Sequence, residues 1–137
     1  MTKSVAVFGG CGFLGSYVVE ELLRRGYKVI IPDLKPSKYV DQELFVECDI
    51  RDRDRVASII TDEIKYVYNF AGFASLDGAA KKPVDTIELN VVGNLNILEA
   101  CINKRVKRFV YASSAYALST KGSFYGISKL SSEKLVE

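Results

Sequence analysis

The 137 residues suit one compact domain, and with 48% of them apolar the chain can bury a sizeable core, which excludes a disordered polypeptide. A net charge of +2 is close to balanced and gives no reason to expect nucleic acid or an anionic membrane as the main partner. There is no histidine, which excludes Ser-His-Asp hydrolysis, Cys-His nucleophiles and His-based zinc sites, so no metal centre is expected and proton chemistry falls to Tyr, Lys, Asp, Glu or Cys.

The apolar stretches are short and punctuated by charge, so no membrane span is expected, and Met1 to Lys3 lead straight into a strand-like run that leaves no room for a signal peptide. Cys11, Cys48 and Cys101 are widely spaced and lack a Cys-x-x-Cys pair, which fits a reduced, cytoplasmic compartment.

In chain order, short apolar runs alternate with longer helical patterns. Ser4 to Phe8 reads as a buried first strand. Phe13 to Arg25 reads as a helix, with Leu14, Val18, Leu22 and Arg25 on one face and Gly26 ending it. Lys28 to Ile31 is a second strand, stopped by Pro32, and Leu44 to Glu47 a short third. Arg53 to Ile60 reads as a helix and Tyr66 to Phe70 as the fourth strand. Pro83 opens a long helix to about Asn103, with Val84, Ile87, Val91, Leu95, Leu98 and Ile102 as its apolar stripe. Lys107 to Ala112 is the fifth strand, and Ser123 to Glu137 is helical. This alternation predicts an α/β fold with a three-layer, doubly wound parallel sheet, strand order 3-2-1-4-5 and right-handed crossovers. The basic cluster Lys104, Arg105, Lys107 and Arg108 could hold phosphate, but so short a charge run is read as a solvated loop.

Gly9, Gly10, Gly12 and Gly15 lie between the first strand and the first helix, the context that gives a Gly-x-Gly-x-x-Gly pattern its meaning. Gly9 and Gly10 allow a sharp turn, Gly12 lets a pyrophosphate approach the backbone, and Gly15 lets the helix lie close to the sheet. The helix N-terminus then offers unpaired N–H groups to phosphate. Asp33, at the end of the second strand, stands where an acid accepts hydrogen bonds from the adenosine ribose and repels a 2′-phosphate, so the expected cofactor is NAD rather than NADP. Lys35 is close enough to soften that preference. Cys11, in the same turn, is read as a tolerated small residue rather than a redox thiol.

Tyr125 and Lys129 stand four apart in a helical segment and share a face. Ser113 and Ser114 follow the fifth strand, at the carboxyl edge where such sheets place ligands. An ammonium beside a phenol favours the phenolate, which can take a hydroxyl proton while hydride leaves the adjoining carbon, and a serine can steady the same oxygen.

With these motifs in place, the chain resembles the amino-terminal part of the extended short-chain dehydrogenase/reductase family, specifically its NAD-dependent sugar-nucleotide epimerases and dehydratases with a Rossmann-like fold. Gly9-Gly10-Cys11-Gly12-Phe13-Leu14-Gly15 is similar to the family's cofactor turn, and Asp33 to its ribose-binding acid. Asp49-Ile50 resembles the pair that contacts adenine, Asn69-Phe70-Ala71-Gly72 the end of the fourth strand, and Asn90-Val91-Val92-Gly93-Asn94 the Asn-Val-x-Gly-Thr segment. Tyr111-Ala112-Ser113-Ser114-Ala115 resembles the strand carrying the active-site serine, taken as Ser114, and Tyr125-Gly126-Ile127-Ser128-Lys129 the Tyr-x-x-x-Lys signature. The resemblance implies that Gly9, Gly12, Phe13, Leu14, Gly15, Asp33, Asp49, Ile50, Ala71, Gly72, Asn90, Tyr125 and Lys129 bind cofactor. It implies that Tyr125 transfers the proton with Ser114, while Lys129 favours its phenolate and holds the nicotinamide ribose. It also implies a nucleotide-sugar substrate and a homodimer pairing the 83–103 and 123–137 helices.

The sequence departs from that pattern in carrying Asn69-Phe70-Ala71-Gly72 for the usual His-Leu-Ala-Ala, and a short loop between Ser114 and Tyr125. A third departure is the end at Glu137, before the portion that binds the nucleotide sugar in the family. The expectation is therefore an NAD-binding domain over 1–137, truncated before the substrate-binding portion, with the fifth strand and its Phe109 and Val110 as an edge open to pairing. The leading reading is the cofactor domain of an epimerase, dehydratase or reductase. Its rival is a non-catalytic NAD-binding module or inactive fragment, and a nucleic-acid binder rests on the basic cluster alone.

Overall fold

The computed structural model describes residues 2–137, so Met1, part of the leader reading, lies outside the described residues. Five parallel strands, β1 (Ser4–Phe8), β2 (Lys28–Asp33), β3 (Phe45–Glu47), β4 (Ile64–Asn69) and β5 (Arg108–Tyr111), form one sheet in the order β3-β2-β1-β4-β5. The order is the one the sequence predicts. Val5, Ala6, Val7 and Phe8 of β1 are wholly buried, and the two-residue period of a strand divides them between two cores. Val5 and Val7 pack with Val19, Leu22, Val29 and Ile31 under helix α1 (Phe13–Arg24). Ala6 and Phe8 pack on the other side with Val56, Ile59, Ile97, Ala100 and Cys101, from helices α2 (Arg53–Ile59) and α5 (Gly93–Asn103). Burying Phe8 in this way contributes about 1.5 to 3 kcal/mol.

Four local readings change. Pro32 does not stop β2, which runs on to Asp33. The β1–β2 register, extended, sets Pro32 opposite Phe8, where an N–H at position 32 would bond the Val7 carbonyl. That carbonyl instead accepts Gly10 N at 3.1 Å, so proline's missing donor leaves no orphan. In α1 the buried face is Gly15, Val19 and Leu22, while Leu14 is exposed. The backbone of the Gly9–Gly10 turn lies close enough to Gly15 to demand a glycine where hydropathy alone selects a leucine.

The long helix after Pro83 is three pieces: α4 (Pro83–Ile87), a π-helical turn (Glu88–Val92) and α5. Its apolar stripe is not its buried face. Val84 and Ile102 are 68% and 76% exposed, whereas Thr86, Asn90, Gly93, Asn94, Ile97, Ala100 and Cys101 are buried. A short helix that the sequence reading did not anticipate, α3 (Leu76–Lys81), is started by Ser75, whose hydroxyl accepts Gly78 N at 3.1 Å. The last helix, α6 (Ser123–Val136), packs against α3, α4 and the π-helical turn. Strand β5 stands at the sheet edge beside β4, with Val110 exposed. Among the described residues, no helix is long and apolar enough to cross a membrane.

Candidate functional site

The chain leaves β1 through a turn that only small residues can make. Gly9 has φ +74° and sits against β4's end, where a Cβ would meet Ala71 N at 2.5 Å. A Cβ on Gly15 would overlap the Gly9 carbonyl oxygen and come within 2.8 Å of Gly10 Cα. The turn is closed by Gly9 N to Pro32 O at 3.0 Å and Gly12 N to Gly9 O at 3.1 Å. Gly12 precedes α1 without a side chain to cap it. The first helical bond is Ser16 N to Gly12 O at 3.0 Å, so the N–H groups of Phe13, Leu14 and Gly15 stand at the open, positive end of the helix. The side chains of Phe13 and Leu14 are exposed; their backbones form the cradle.

Asp33 is tied into this turn. Its Oδ2 accepts Cys11 N at 3.0 Å and its Oδ1 accepts Leu34 N at 2.7 Å, leaving each oxygen a further lone pair. A cleft of about 170 Å³ opens beside it, lined by Gly9, Gly12, Asp33, Ile50, Ala71 and Gly72 together with Pro32, Leu34, Cys48, Phe70 and Leu89. The second group was not assigned to cofactor binding in the sequence, Phe70 being quoted only within the fourth-strand motif, because an apolar residue at a strand end or in a helical turn carries no pattern that marks a wall. Asp49 is not part of the wall: its carboxylate is held by Arg51 Nη2 at 2.7 Å, which also keeps its pKa below the ordinary value. The Cys11 thiol is pushed up by burial and then by Asp33, the opposite of what a reactive thiol needs.

The second half of the site lies at β5 and α6. Tyr125 and Lys129 are each 8% exposed and one helical turn apart. Lys129 Nζ donates to Ala112 O at 2.9 Å and lies 4.9 Å from the Tyr111 ring centroid and 5.8 Å from that of Tyr125. Burial pushes its pKa down to about 8. Ser114 opens a 3₁₀ turn (Ala115–Leu118), its Oγ accepting Tyr116 N at 3.3 Å. The Tyr116 ring then meets Tyr125 edge-on, with centroids 6.2 Å apart, so the serine and the tyrosine are linked through Tyr116. The neighbouring Ser113 hydroxyl is engaged by the Glu133 carboxylate, which leaves Ser114 as the available serine.

Asn90 is 3% exposed and lies behind this pair rather than in the cleft. Its Oδ1 accepts Phe73 N at 2.7 Å, and its Nδ2 donates to Ser128 Oγ at 3.0 Å. Ser128 in turn donates to Tyr125 O at 2.7 Å, and Ser132 donates to the Asn90 carbonyl at 2.5 Å. Asn69 and Asn94 join the same buried layer through a bond of 2.9 Å. The geometry thus brings Gly9, Gly12, Asp33, Ile50, Ala71 and Gly72 to one cleft and Tyr125 with Lys129 to a second cluster; it turns Asp49 toward Arg51 and makes Asn90 a junction between loop and helix.

A parallel doubly wound sheet with a glycine-rich turn at the carboxyl end of its first strand, and a buried Tyr–Lys pair beyond its fifth, defines a Rossmann-like α/β domain. The chain belongs to the NAD dependent epimerase/dehydratase family, whose model matches residues 5–137. Among curated relatives it is 37% identical over 123 residues to a UDP-glucose 4-epimerase of Klebsiella pneumoniae, covering 81% of this chain and 88% of that protein. It is 36% identical over 116 residues to the UDP-glucose 4-epimerase of Lactobacillus helveticus, covering 81% of this chain but 35% of that one. Among solved structures, UDP-glucose 4-epimerase from Thermotoga maritima with UDP-glucose superposes with a TM-score of 0.87 at 32% identity, over 96% of this chain and 49% of that chain. The Thermus thermophilus UDP-glucose 4-epimerase in complex with NAD gives 0.85 at 32% identity, over the same shares. The chain therefore spans about half the length of these solved relatives.

Proposed function

We propose that this chain binds NAD and carries the proton-transfer residues of a nucleotide-sugar epimerase, dehydratase or reductase, with UDP-hexoses as the substrate class to test first. The observation that carries the reading is the meeting of two arrangements on one sheet: the Gly9–Asp33 cradle and the buried Tyr125–Lys129 pair.

The residues present fit the cofactor. The open N–H groups of Phe13, Leu14 and Gly15 suit a pyrophosphate, and glycines keep Cβ atoms out of the approach. Asp33 keeps lone pairs for ribose hydroxyls while its charge opposes a 2′-phosphate. Ile50, Ala71 and Gly72 wall the adjoining cleft. Bound NAD would supply a reversible hydride acceptor. Tyr125 takes the proton from a sugar hydroxyl and returns it in the reverse direction. Lys129 places positive charge beside the Tyr125 ring, and Ser114 holds the same sugar oxygen. Asn90 serves by fixing the helix that carries Tyr125 rather than by touching cofactor.

We also infer a homodimer through the 83–103 and 123–137 segments, supported by the exposure of Val84, Leu95, Ile102, Ile127 and Leu130 along them.

Calorimetric titration of the chain with NAD and with NADP, followed by turnover of UDP-glucose or UDP-galactose by a longer polypeptide that joins it to a substrate-binding portion, tests the reading. The expected result is NAD binding in preference to NADP, with Tyr125→Phe still binding NAD but failing to turn over. NAD binding by this chain with no turnover by the longer polypeptide would favour a non-catalytic cofactor module. No binding to either dinucleotide would overturn the proposal.

A further inference from the structure

The face by which α6 docks is polar. Tyr125, Ser128, Lys129 and Ser132 recur at helical spacing, and all four are buried. Apolar packing is non-directional and sets the rotation of such a face poorly; hydrogen bonds with fixed geometry set it well. One of these residues has no place in the chemistry proposed above. Ser132 is wholly buried, and its hydroxyl donates to the Asn90 carbonyl, in the π-helical turn, at 2.5 Å. A buried hydroxyl costs free energy unless it is bonded, so a serine here is a specific commitment where alanine would fill much the same volume.

Tyr111 stands next to it. Its hydroxyl is buried without a satisfying partner, and Ser132 is the side-chain hydroxyl that faces it. The face of the same ring carries the Lys129 ammonium at 4.9 Å, which is also bonded to Ala112 O. Lys129 is thus surrounded by Tyr111 and a carbonyl from the β5 side and by Tyr125 from its own helix. Glu133, the nearest acid along the helix, bonds Ser113 and acts on Tyr111.

We infer that Ser132 is a positioning residue for Lys129: by bonding the Asn90 carbonyl it fixes the rotation of α6, and so seats the ammonium between the rings of Tyr111 and Tyr125. The inference deepens the proposed function and rests on Lys129 serving Tyr125. Without the Ser132 bond, α6 turns or lifts by a fraction of a residue, the ring contacts lengthen, and water reaches the ammonium.

The test follows the lysine directly and needs no cofactor. In the full chain labelled with ¹⁵N-lysine, the Lys129 resonance is identified by its loss in Lys129→Arg and titrated between pH 6 and 11. Ser132→Ala is expected to raise the Lys129 midpoint by half a unit or more toward the ordinary lysine range. Ser132→Cys, similar in size and retaining a weak donor, is expected to raise it less. A merely structural role would lower the melting temperature of Ser132→Ala and leave the midpoint where it is in the unaltered chain, which would overturn the inference. If Ser132→Ala does not fold, Ser132→Cys decides alone, an unmoved midpoint again overturning it. NAD titration of the same samples keeps the two proposals apart. Failure of the unaltered chain to bind NAD counts against the proposed function, whereas the lysine midpoint still decides the role of Ser132.

Discussion

Asp33 accepts the backbone N–H of Cys11 at 3.0 Å across a sequence separation of 22 residues, so the carboxylate at the end of β2 holds the glycine turn that follows β1. One side chain both shapes the phosphate cradle and offers oxygens to a ribose. Asp33→Ala is therefore expected to weaken NAD binding by about tenfold or more, roughly 1.4 kcal/mol. Asp33→Asn, which keeps the shape and loses the charge, is expected to narrow the preference for NAD over NADP. Calorimetry with both dinucleotides measures this, and unchanged affinities in both variants would remove Asp33 from the site.

Gly9 and Gly26 offer a matched pair for the turn itself. Both have positive φ, +74° and +82°, but a Cβ on Gly9 meets Ala71 N at 2.5 Å whereas one on Gly26 meets nothing within 4 Å. Gly26→Ala is expected to cost about 1 kcal/mol, from backbone conformation alone. Gly9→Ala adds a backbone collision, for a loss of about 2 to 3 kcal/mol. Urea unfolding of the two variants measures the difference; equal losses would mean that the turn tolerates a side chain.

Lys129 gives stability a specific pH dependence. Burial lowers its pKa from 10.5 to about 8, so between those values the unfolded chain binds more protons and stability rises with pH. Below pH 8 the whole penalty is present, on the order of 3 kcal/mol for the full shift. The thiols of Cys48 and Cys101, pushed up by burial to about 11 and about 12, act in the other direction once pH passes their ordinary 9.0. Tyr111, raised to about 12, opposes Lys129 at still higher pH. Lys129→Met should be more stable than the unaltered chain at pH 7, with the gap closing as pH approaches 10. Subtracting one stability profile from the other isolates the lysine, because the thiols and Tyr111 are common to both. A gap that stays constant with pH would show that Lys129 is charged at no cost.

Association is the remaining expectation. Ile127 is 57% exposed on α6, and Leu95 and Ile102 are exposed along α5. Light scattering at micromolar concentration should give twice the chain mass, and Ile127→Glu should return the chain mass. A monomer without any substitution would discard the dimer.

The sequence made the central half of the molecule legible. β1 was bounded correctly because a short apolar run with Val5, Val7 and Phe8 leads directly into glycines, and Asp33 was picked out because its offset from those glycines has a physical reason. What hydropathy did not reveal is the polar layer of Asn69, Thr86, Asn90, Asn94, Ser128 and Ser132. Most of these side chains bond partners far away in the chain, as Asn90 does Ser128 at a separation of 38, Ser132 the Asn90 carbonyl and Asn69 the Asn94 amide, whereas Thr86 bonds the Lys82 carbonyl four residues back. An apolar stripe cannot report that. The same blindness placed Val84 and Ile102 with the core and passed over the wall residues Leu34 and Leu89. Pro32 was read as a stop because its missing N–H was seen and the Gly10 amide that takes its place was not.

The π-helical turn of Glu88–Val92 lets one segment serve two neighbours. Upstream, α4 and the turn lie against α6; downstream, α5 lies against α2. A π turn accommodates one residue more than an α turn, and each residue of an α-helix advances the face by about 100°. That single surplus residue sets the phase between the half that holds Asn90 against Ser128 and the half that sends Ile97 and Cys101 into the core. Removing it would swing α5 a quarter-turn out of step. The proton-transfer helix and the hydrophobic core are in this sense geared to each other through an irregularity, and neither could drift along the chain by one position without the other.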